Sequence, residues 1–565
     1  MSGTQQAGGR AGLFVADAWK RTRDLLPRAT DFRAMRRNPR RDIIAGITVA
    51  VVALPLALAF GAASGLGAAA GIVTAIVAGV LAAVFGGSNL QISGPTGAMT
   101  VVLLPIVATF GVEGVLVVGL MAGVILVALA FAGTGRYMRY IPLPVVEGFT
   151  LGIAVIIGLQ QVPAALGVEV QGERVVLTAV AALVEWISSP DWASVLIAGF
   201  VAASMLLAVR FRPGLPFSLI AVAVATIAVV ITGVDVSTIG AIPAGLPAPS
   251  IPAIPLERIS ELMIPAVAVA ALAALESLLC ATVADGMTVG ERHDPNRELF
   301  GQGVANLVVP FFGGLPATAA IARTAVNVRS GGRSRLAAIT QSLTLLVVIL
   351  VAARWVSFIP LAALAGVLIA TVIQMVEISS LRSVMKSTRG DAVVLVSTAL
   401  ATIVFDLVVA VIVGMVIAGL YALRQVAKSA QVEEIPLDSG DFSDEERHLL
   451  DSNVVAYRLD GPLFFGAAHT FLLEVAETSD VRVVILRLSR IRTLDATGAA
   501  VLGDTIKTLE GRGVTVLLSG VRDSHDSVFR ALGVYDKLSD PRHIFEKTPA
   551  AIAHAREHLR REAEA

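Results

Sequence analysis

The chain has 565 residues, a formal net charge of zero and only 16% charged residues, whereas 55% of its residues are hydrophobic. With a mean hydropathy of +0.78, this composition excludes an ordinary soluble protein and gives no indication of a nucleic-acid partner. The chain is therefore predicted to be a membrane protein. Its one cysteine, Cys280, cannot form an intramolecular disulfide.

The N-terminal arm, residues 1–42, is rich in arginine and runs directly into an apolar segment of full membrane length. This pattern predicts a cytosolic arm and not a cleavable signal peptide. Apolar runs that can cross or half-cross a hydrocarbon layer of about 30 Å then follow. We predict fourteen spans, at residues 43–60, 68–85, 96–110, 114–132, 143–161, 193–209, 216–231, 263–285, 296–311, 316–328, 336–353, 360–376, 392–405 and 407–423. The apolar stretch 175–187 is predicted to be an interfacial helix.

Basic residues gather in the loops after even-numbered spans, whereas the other loops are acidic or nearly uncharged. Because Lys and Arg concentrate in cytoplasmic loops, this asymmetry supports an even span count. Both termini are therefore predicted to be cytoplasmic, in a multi-pass protein of the cell (plasma or inner) membrane.

Two stretches share a Phe-Gly-Gly sequence, at residues 85–87 and 312–314. Each continues through extended residues and a proline into an apolar helix, the first of which is predicted to begin near Thr96. The two stretches open the third and the tenth spans, which is the same position in two seven-span units. Because seven is odd, the second unit must be inverted, and paired half-helices in inverted repeats point to a transporter's substrate site. Two re-entrant loops with only a packing role remain the alternative.

The starts of two facing half-helices bring backbone N–H groups and positive dipole ends together, which favours an anion. Two charged residues lie inside spans: Glu276, about 20 Å along its helix at 1.5 Å per residue, and Arg323. An ion pair between them would offset the desolvation of both. Such a pair could also serve only to hold the helices together. Glu147 and Asp406 lie at span ends and are predicted to snorkel or to contact the gate domain.

The runs IAGITVAVVALPLALAF, QISGPTGA, GFTLGIAVIIGLQQ and ESLLCATVAD, together with LPATAAIARTAVNVRSGG, resemble the sulphate permease (SulP) family of anion transporters. The resemblance covers nearly the whole chain. It implies a polytopic α-helical fold of fourteen spans in a seven-plus-seven inverted repeat, divided into a core domain and a gate domain. The anion would lie between the third and tenth helices, and the core would move against the gate in an elevator-like manner.

By this resemblance, the substrate site consists of Phe60 on the first span, Thr96, Gly97 and Ala98 at the third, and Ala320, Ala322 and Arg323 at the tenth. Glu276, on the eighth span, is assigned to proton coupling. Sodium-coupled bicarbonate members of the family tend to have Asp and Thr where Glu276 and Cys280 stand, and they lack the arginine. A thiol is also a poor ligand for a hard cation.

Beyond residue 426 the composition changes. Residues 427–453 are polar and are predicted to be a linker after a transmembrane domain at 43–426, and 454–565 alternate short β-rich runs with helical stretches. This pattern predicts a small cytosolic α/β domain with a C-terminal tail, and it resembles the STAS domain and the bacterial anti-sigma-factor antagonists. By that resemblance Thr497 is a candidate phosphorylation site, although Asp495 and Thr497 equally suit a helix N-cap.

The sequence predicts a secondary transporter of small anions of the sulphate, bicarbonate or dicarboxylate class, coupled to protons, and not an enzyme. Its expected partners are the anion, protons, the lipid bilayer and a second copy of the chain in a homodimer. No cofactor, metal or nucleic acid is expected. An anion exchanger or uniporter (for example of chloride and bicarbonate), a sodium-coupled bicarbonate transporter and a membrane anion sensor remain alternatives. A nucleobase carrier is disfavoured, since a neutral base needs no cation.

Overall fold

The computed structural model describes residues 22–170, 174–211, 217–253, 256–288, 292–405, 407–428, 431–435, 453–463 and 481–564. The chain divides into two compact units, Met1–Met415 and Val416–Ala565.

The first unit is helical. Its helices up to the middle of the chain are α1 (Ala29–Met35), α2 (Pro39–Ala63), α3 (Ala68–Phe85), α4 (Gly97–Ala132), α5 (Leu143–Gln160), α6 (Val162–Leu166), α7 (Val175–Ser188), α8 (Trp192–Phe211) and α9 (Phe217–Thr232). They are followed by α10 (Ile259–Gly286), α11 (Pro295–Val308), α12 (Ile321–Arg329), α13 (Arg335–Val356), α14 (Leu361–Met375), α15 (Ile378–Ser387), α16 (Arg389–Val404) and α17 (Leu407–Lys428), the last of which runs past the division between the units.

Each of the fourteen predicted spans overlaps a helix in the described part of the chain, although the predicted bounds do not always match. In the described part of the chain, seven helical segments are long and apolar enough to cross a membrane by themselves, and four shorter apolar helices accompany them. The third and fourth predicted spans both lie in α4. The break predicted between them is a kink at Gly111, whose φ of 69° and ψ of −173° are not helical. A positive φ of this size favours glycine, which has no Cβ atom.

Two short strands stand in front of the half-helices. β1 (Ser93–Gly94) and β2 (Thr318–Ala319) pair antiparallel, with Ser93 opposite Ala319. The first half-helix begins at Gly97, as predicted, with Thr96 as its N-cap. The second begins later than the predicted residue 316, because the chain remains extended through β2 up to the N-cap, Ala320.

Small residues allow the helices that carry these strands to pack closely. A Cβ atom on Gly71 of α3 would overlap the carbonyl oxygen of Ala57 in α2, and a Cβ on Gly61 would lie 2.7 Å from the Gly71 nitrogen. Nearer the start of α2, a Cβ on Gly46 would lie 2.6 Å from the Cβ of Thr340 in α13. Close backbone approach at small residues is how helices associate where surrounding lipid removes the hydrophobic driving force.

The remaining long helices pack in the same way with one another. A Cβ on Gly152 of α5 would lie 3.0 Å from the Ala399 carbonyl oxygen in α16, and one on Gly366 of α14 would lie 3.0 Å from the Val201 Cβ in α8. These helices correspond to the predicted gate domain, and α2–α4 with α10–α13 to the core domain. Glu147 of α5 accepts a hydrogen bond from Ser380 Oγ of α15 over 2.5 Å, a contact within the gate. Asp406 lies outside the described residues.

The second unit contains a five-stranded sheet of order β3-β4-β5-β6-β7, in which only β3 is antiparallel to its neighbour. Its strands are β3 (Gln431–Ile435), β4 (Val454–Leu463), β5 (Val483–Leu494), β6 (Thr515–Ser519) and β7 (Ile544–Phe545), and its helices are α18 (Ala496–Gly511), α19 (Asp523–Ala531) and α20 (Thr548–Glu564). The sheet thus begins inside the stretch 427–453 that the sequence predicts as a linker, while residues 436–452 lie outside the described part.

Alternate residues of β5 point to opposite faces of this sheet, as strand geometry requires. Leu486 packs in one buried cluster with Leu502 of α18 and Phe529 of α19. Ile485 packs in a second cluster with Ala555 of α20. Helices therefore cover both faces, which is the predicted α/β domain.

Candidate functional site

The β1–β2 pairing brings the starts of α4 and α12 to one place in the core domain. Gly94 is paired with Thr318, so each strand leads directly into its own half-helix. Neither helix start has a side-chain cap, as the N-cap residues Thr96 and Ala320 leave the first backbone N–H groups uncapped. Unpaired N–H groups and the positive ends of two helix dipoles are well suited to an anion.

Arg323 lies in the first turn of α12, and its side chain reaches across to the segment that joins β1 to α4. Its Nη2 atom donates a hydrogen bond to the Pro95 carbonyl oxygen over 2.6 Å. The guanidinium packs against Gly94, where a Cβ atom would lie 2.7 Å from Nη1. The residue is only 1% exposed, and within the described part of the chain its Nη1 atom has no hydrogen-bond partner. An oxyanion could accept a hydrogen bond from this unused donor and could balance the charge of the desolvated cation.

Glu276 lies on α10 and is directed at the start of α4. Its Oε2 atom accepts a hydrogen bond from Thr96 Oγ1 over 2.8 Å, and the carboxylate is partly buried. The predicted ion pair with Arg323 is wrong: among the described residues, the two side chains are not within the 4.0 Å that defines an ion pair. Arg323 instead bonds to the Pro95 carbonyl, and Glu276 bonds to the next residue, Thr96. The segment at these two residues therefore links the two charges indirectly.

The first turn of α4 is covered by apolar side chains. A Cβ atom on Gly97 would lie 3.1 Å from Cε1 of Phe60 and would overlap Cδ1 of Ile157. The structure therefore brings Phe60 next to Gly97. Ala98 is fully buried behind them. Ile157, on α5 of the gate domain, was missed, because an isoleucine in an apolar span gives no sequence signal.

The start of α12 is less enclosed than the start of α4. Ala320 is partly exposed, and Ala322 is exposed next to Ile321. Ala322 therefore lies on a different face of α12 from Arg323, which is buried. The structure brings Arg323 into contact with the segment before α4 but shows no such contact for Ala322.

Several polar residues that sequence reasoning missed support this arrangement. Thr324 accepts hydrogen bonds from the Ile92 backbone N–H over 3.0 Å and from the Cys280 thiol over 3.2 Å. Ser277 Oγ lies 3.3 Å from Thr318 Oγ1 in β2. Thr324 directly follows Arg323 and Ser277 directly follows Glu276 in sequence, which is the one signal that could have found them. They hold the antiparallel pair of strands β1 and β2, called the β1–β2 crossing from here on, against α10.

A second buried carboxylate, Glu298 of α11, lies behind the crossing. It accepts hydrogen bonds from the backbone N–H groups of Gly87 and Ser88, over 2.9 and 3.2 Å, and from Gln302 Nε2 over 3.0 Å. Gln302 Nε2 also donates to Ser93 Oγ in β1 over 2.7 Å. Glu298 therefore holds the first Phe-Gly-Gly turn, and through Gln302 it supports β1.

A cavity of about 900 Å³ lies between core helices α2 and α4 and the gate helices. Its wall includes Ala59, Ala62, Leu104 and Gln160. None of the predicted site residues lines it. Leu104 is eight residues after Thr96, about 12 Å along α4 at 1.5 Å per residue, so the cavity follows the same helix further from the crossing.

Two half-helices that start at one antiparallel crossing, with a buried arginine beside it, define a membrane transporter of the inverted-repeat class. The chain matches the sulfate permease family over residues 40–398 and the STAS domain over residues 450–551. It belongs to the sulfate permease family and is an anion transporter with a C-terminal STAS domain.

Relatives along most of the chain agree with this membership. The Bacillus subtilis protein YvdB is 33% identical over 520 residues, which are 90% of this chain and 96% of that protein. The bicarbonate transporter BicA of Picosynechococcus sp. is 33% identical over 497 residues, which are 83% of this chain and 87% of BicA. As the sequence predicts, the family consists of transporters and not of enzymes.

Solved structures show the same fold. The transmembrane domain of a cyanobacterial bicarbonate transporter BicA superimposes with a TM-score of 0.62 at 34% identity, covering 66% of this chain and 98% of that domain. The murine Slc26a9 anion transporter in the inward-facing state superimposes with a TM-score of 0.79 at 18% identity, covering 92% of this chain and 91% of that one.

In the STAS domain, the candidate phosphorylation site lies at the start of α18. Thr497 is exposed. Asp495 is the N-cap of this helix, and its Oδ1 atom accepts the Gly498 N–H over 2.7 Å. Asp495 is therefore the residue that caps this helix. Thr497 makes no capping contact and is open to solvent.

Proposed function

We propose that this protein carries a small anion of the sulphate, bicarbonate or dicarboxylate class, bound between the starts of α4 and α12. The observation that carries the proposal is the buried Arg323 guanidinium, which has an unused donor beside two uncapped helix starts. Burial of a cation costs free energy that an arriving anion recovers. The names of the family and of BicA support sulphate and bicarbonate within this class.

Each predicted site residue has a role in this proposal. Thr96, Gly97 and Ala98 supply the first N–H groups of α4, and Ala320 and Ala322 lie at the matching turn of α12. Phe60 forms the apolar wall that excludes water, because its ring lies against the first turn of α4. Exclusion of water strengthens the charge-assisted hydrogen bonds to the anion.

Glu276 is proposed to couple the anion to a proton. Removal from water disfavours the charged form of any carboxylate. With no direct ion pair between the two side chains, the charged form of Glu276 is stabilised by the hydrogen bond from the Thr96 hydroxyl and by the more distant charge of Arg323. An anion bound at Arg323 would weaken what remains of the arginine's attraction for the carboxylate, so anion and proton would favour each other's binding. A sodium site would need several oxygen ligands, whereas the side chain one turn along α10 is the thiol of Cys280, which is bonded to Thr324.

Transport then requires the site to face each side of the membrane in turn. We propose that the core domain, which contains both half-helices, moves against the gate domain in an elevator-like manner. The contact of Ile157 with the first turn of α4 is one place where the two domains would slide. The protein is proposed to lie in the plasma or inner membrane as a homodimer, with both termini in the cytoplasm.

Uptake of labelled anions into proteoliposomes of the purified full chain tests the proposal. Sulfate, bicarbonate, chloride and a dicarboxylate are compared, each with an imposed proton gradient, with an imposed sodium gradient and with counter-anion inside. Net uptake driven by protons supports the symporter. Uptake that needs only counter-anion identifies an exchanger, and binding without any uptake identifies a sensor; either result contradicts the proposed coupling.

A further inference from the structure

Five arginines lie close together at the predicted cytoplasmic end of α2, in α1 and in the turn that follows it. They are Arg33, Arg36, Arg37, Arg40 and Arg41, and all five are exposed. Within the described part of the chain, none of their guanidinium groups forms an ion pair or a side-chain hydrogen bond. Among the residues that the structure describes, their charge is therefore not used in an ion pair.

The acidic residues of the same segment are occupied elsewhere. Asp31 accepts a hydrogen bond from Arg297 over 2.6 Å. Burial is the largest single influence and opposes its ionisation, but the hydrogen bonds from Arg297 and the Arg28 backbone, together with the charges of Arg335 and Arg297, hold the pKa of Asp31 below its ordinary value. Asp42 is buried and accepts the Arg333 backbone N–H over 2.7 Å and the Ser334 hydroxyl over 2.5 Å. Neither carboxylate neutralises the five arginines.

Two of these arginines line a cavity of about 450 Å³, whose wall is formed by Asn38, Arg40, Arg41, Ile44 and Ser330. Arg41 extends over the end of α12, since a Cβ atom on Gly331 would lie 3.1 Å from the Arg41 Cζ. Gly331 has a φ of 96°, a conformation that favours glycine. The polar residues that line the cavity are therefore two arginines, one serine and one asparagine.

The cavity continues into the lipid-facing surface of α2. Arg40, Ile44 and Ile47 are spaced four and three residues apart, so they share one face of the helix. Ile44 is 61% exposed and Ile47 is 45% exposed. On a membrane span, exposed isoleucines contact acyl chains, and an arginine one turn before them lies at the level of the headgroups.

We propose that this cavity binds the phosphate-bearing headgroup of an anionic phospholipid. Guanidinium groups bind phosphate oxygens with two parallel hydrogen bonds, and the acyl chains would lie along Ile44 and Ile47. Clusters of basic residues directly beside a membrane span are attracted to anionic leaflets. Free phosphate has the same charged group, but it has no chains to cover the two isoleucines. A phospholipid is thus the occupant that matches both the basic cavity and the exposed isoleucines beside it.

Native mass spectrometry of the delipidated full chain in detergent tests this site, with phosphatidylglycerol and phosphatidylcholine added in turn. The wild type should retain phosphatidylglycerol in preference to phosphatidylcholine. Arg40→Gln/Arg41→Gln should bind phosphatidylglycerol roughly 25-fold more weakly, because each of the two basic residues near the surface contributes about a fivefold gain. Arg40→Lys/Arg41→Lys should recover part of the binding, because lysine keeps the charge but cannot form the two parallel hydrogen bonds.

The matched control is Lys507→Gln/Arg556→Gln in the STAS domain, which removes the same charge and should bind lipid as the wild type does. Inorganic phosphate at millimolar concentration should fail to displace the lipid. Equal binding by the Arg40→Gln/Arg41→Gln protein and the control, a lysine pair no better than the glutamine pair, or displacement by inorganic phosphate would each overturn the assignment.

Discussion

The hydroxyl of Thr96 donates its hydrogen bond to Glu276, with 2.8 Å between Oγ1 and Oε2. A threonine at this position usually caps its own helix, but here the side chain makes no capping bond. This hydrogen bond therefore holds the carboxylate of Glu276 next to the start of α4, where the anion is proposed to bind. This one contact connects the proposed proton site with the proposed anion site.

Replacement of Glu276 should remove the pH dependence of transport. Wild-type uptake into proteoliposomes should rise when the outside is acidified and should be indifferent to sodium. Glu276→Gln imitates the protonated form and should show the same uptake at each pH. Glu147→Gln is the matched control, since Glu147 is also a partly buried carboxylate with a hydroxyl donor, and it should keep the wild-type profile. A full pH dependence in Glu276→Gln would falsify the coupling.

Arg323→Ala should weaken anion binding by about 10- to 100-fold, because a hydrogen bond to a charged group contributes about 1.5–3 kcal/mol. Arg323→Lys should recover only part, since lysine cannot bind an oxyanion with two parallel bonds. Calorimetry on the purified protein measures both. Arg329→Ala, at the exposed end of the same helix, is the control and should bind as the wild type does. The role of Arg323 would be excluded by unchanged affinity in the alanine variant.

Gly71→Ala should destabilise the membrane unit by about 1–3 kcal/mol, the usual cost of overpacking. Its Cβ atom would meet the Ala57 backbone oxygen, which cannot move as a flexible side chain can. Gly199→Ala in α8 is the control, because no atom lies within 4 Å of the added Cβ. Melting temperatures in detergent compare the two. A Gly71→Ala protein as stable as the control would contradict the close packing of α2 on α3.

Truncation before Gln431, which removes every strand of the STAS sheet, should leave a folded membrane unit that still binds anion. All proposed site residues lie upstream of the cut, and the cut lies after α17. The transport rate or the stability of a dimer should change. Calorimetry and size-exclusion chromatography check both expectations. A monodisperse truncated protein that binds no anion would show that the STAS domain completes the site.

The stability of the STAS domain should fall as the pH is lowered through the histidine range. Burial lowers the pKa of His543, and the neighbouring His554 lowers it further. Burial also lowers the pKa of His525. The unfolded chain therefore binds more protons than the folded domain below the ordinary pKa of about 6.5, and stability is lost as the pH falls from there. Urea unfolding of a fragment starting at Gln431 measures this, and His543→Gln should flatten the pH dependence. A midpoint that does not change between about pH 7.5 and pH 5.5 would contradict it.

Much of the membrane fold could be predicted from the sequence, because the length of each apolar run and the basic residues in the loops beside it are local features of the sequence. The start of the first half-helix at Thr96 and Gly97 was also predictable, since Pro95 and the preceding glycines mark the break. The start of the second was not, because the residues after Pro316 are apolar and could equally be helical. Pairing with β1 decides that they remain extended.

The contacts within the site were harder to predict than its members. Arg323 and Glu276 were found because buried charges are conspicuous, but their partners are Pro95 and Thr96 and not each other. The sequence does not show which backbone oxygen a long arginine reaches. The same limit applies to Ile157, whose contact with Gly97 exists only after the gate helices have packed.

The ladder of Ser93–Gly94 with Thr318–Ala319 takes one strand from each seven-span half. Neither half can therefore build the crossing by itself, and each contributes only one helix start. If the chain were cut in the loop between α9 and α10, each fragment would carry one unpaired strand and only one of the two helix starts that are proposed to bind the anion. Co-expressed fragments would regain transport only by meeting at these four residues, so a split protein would report on the assembly of the binding site itself.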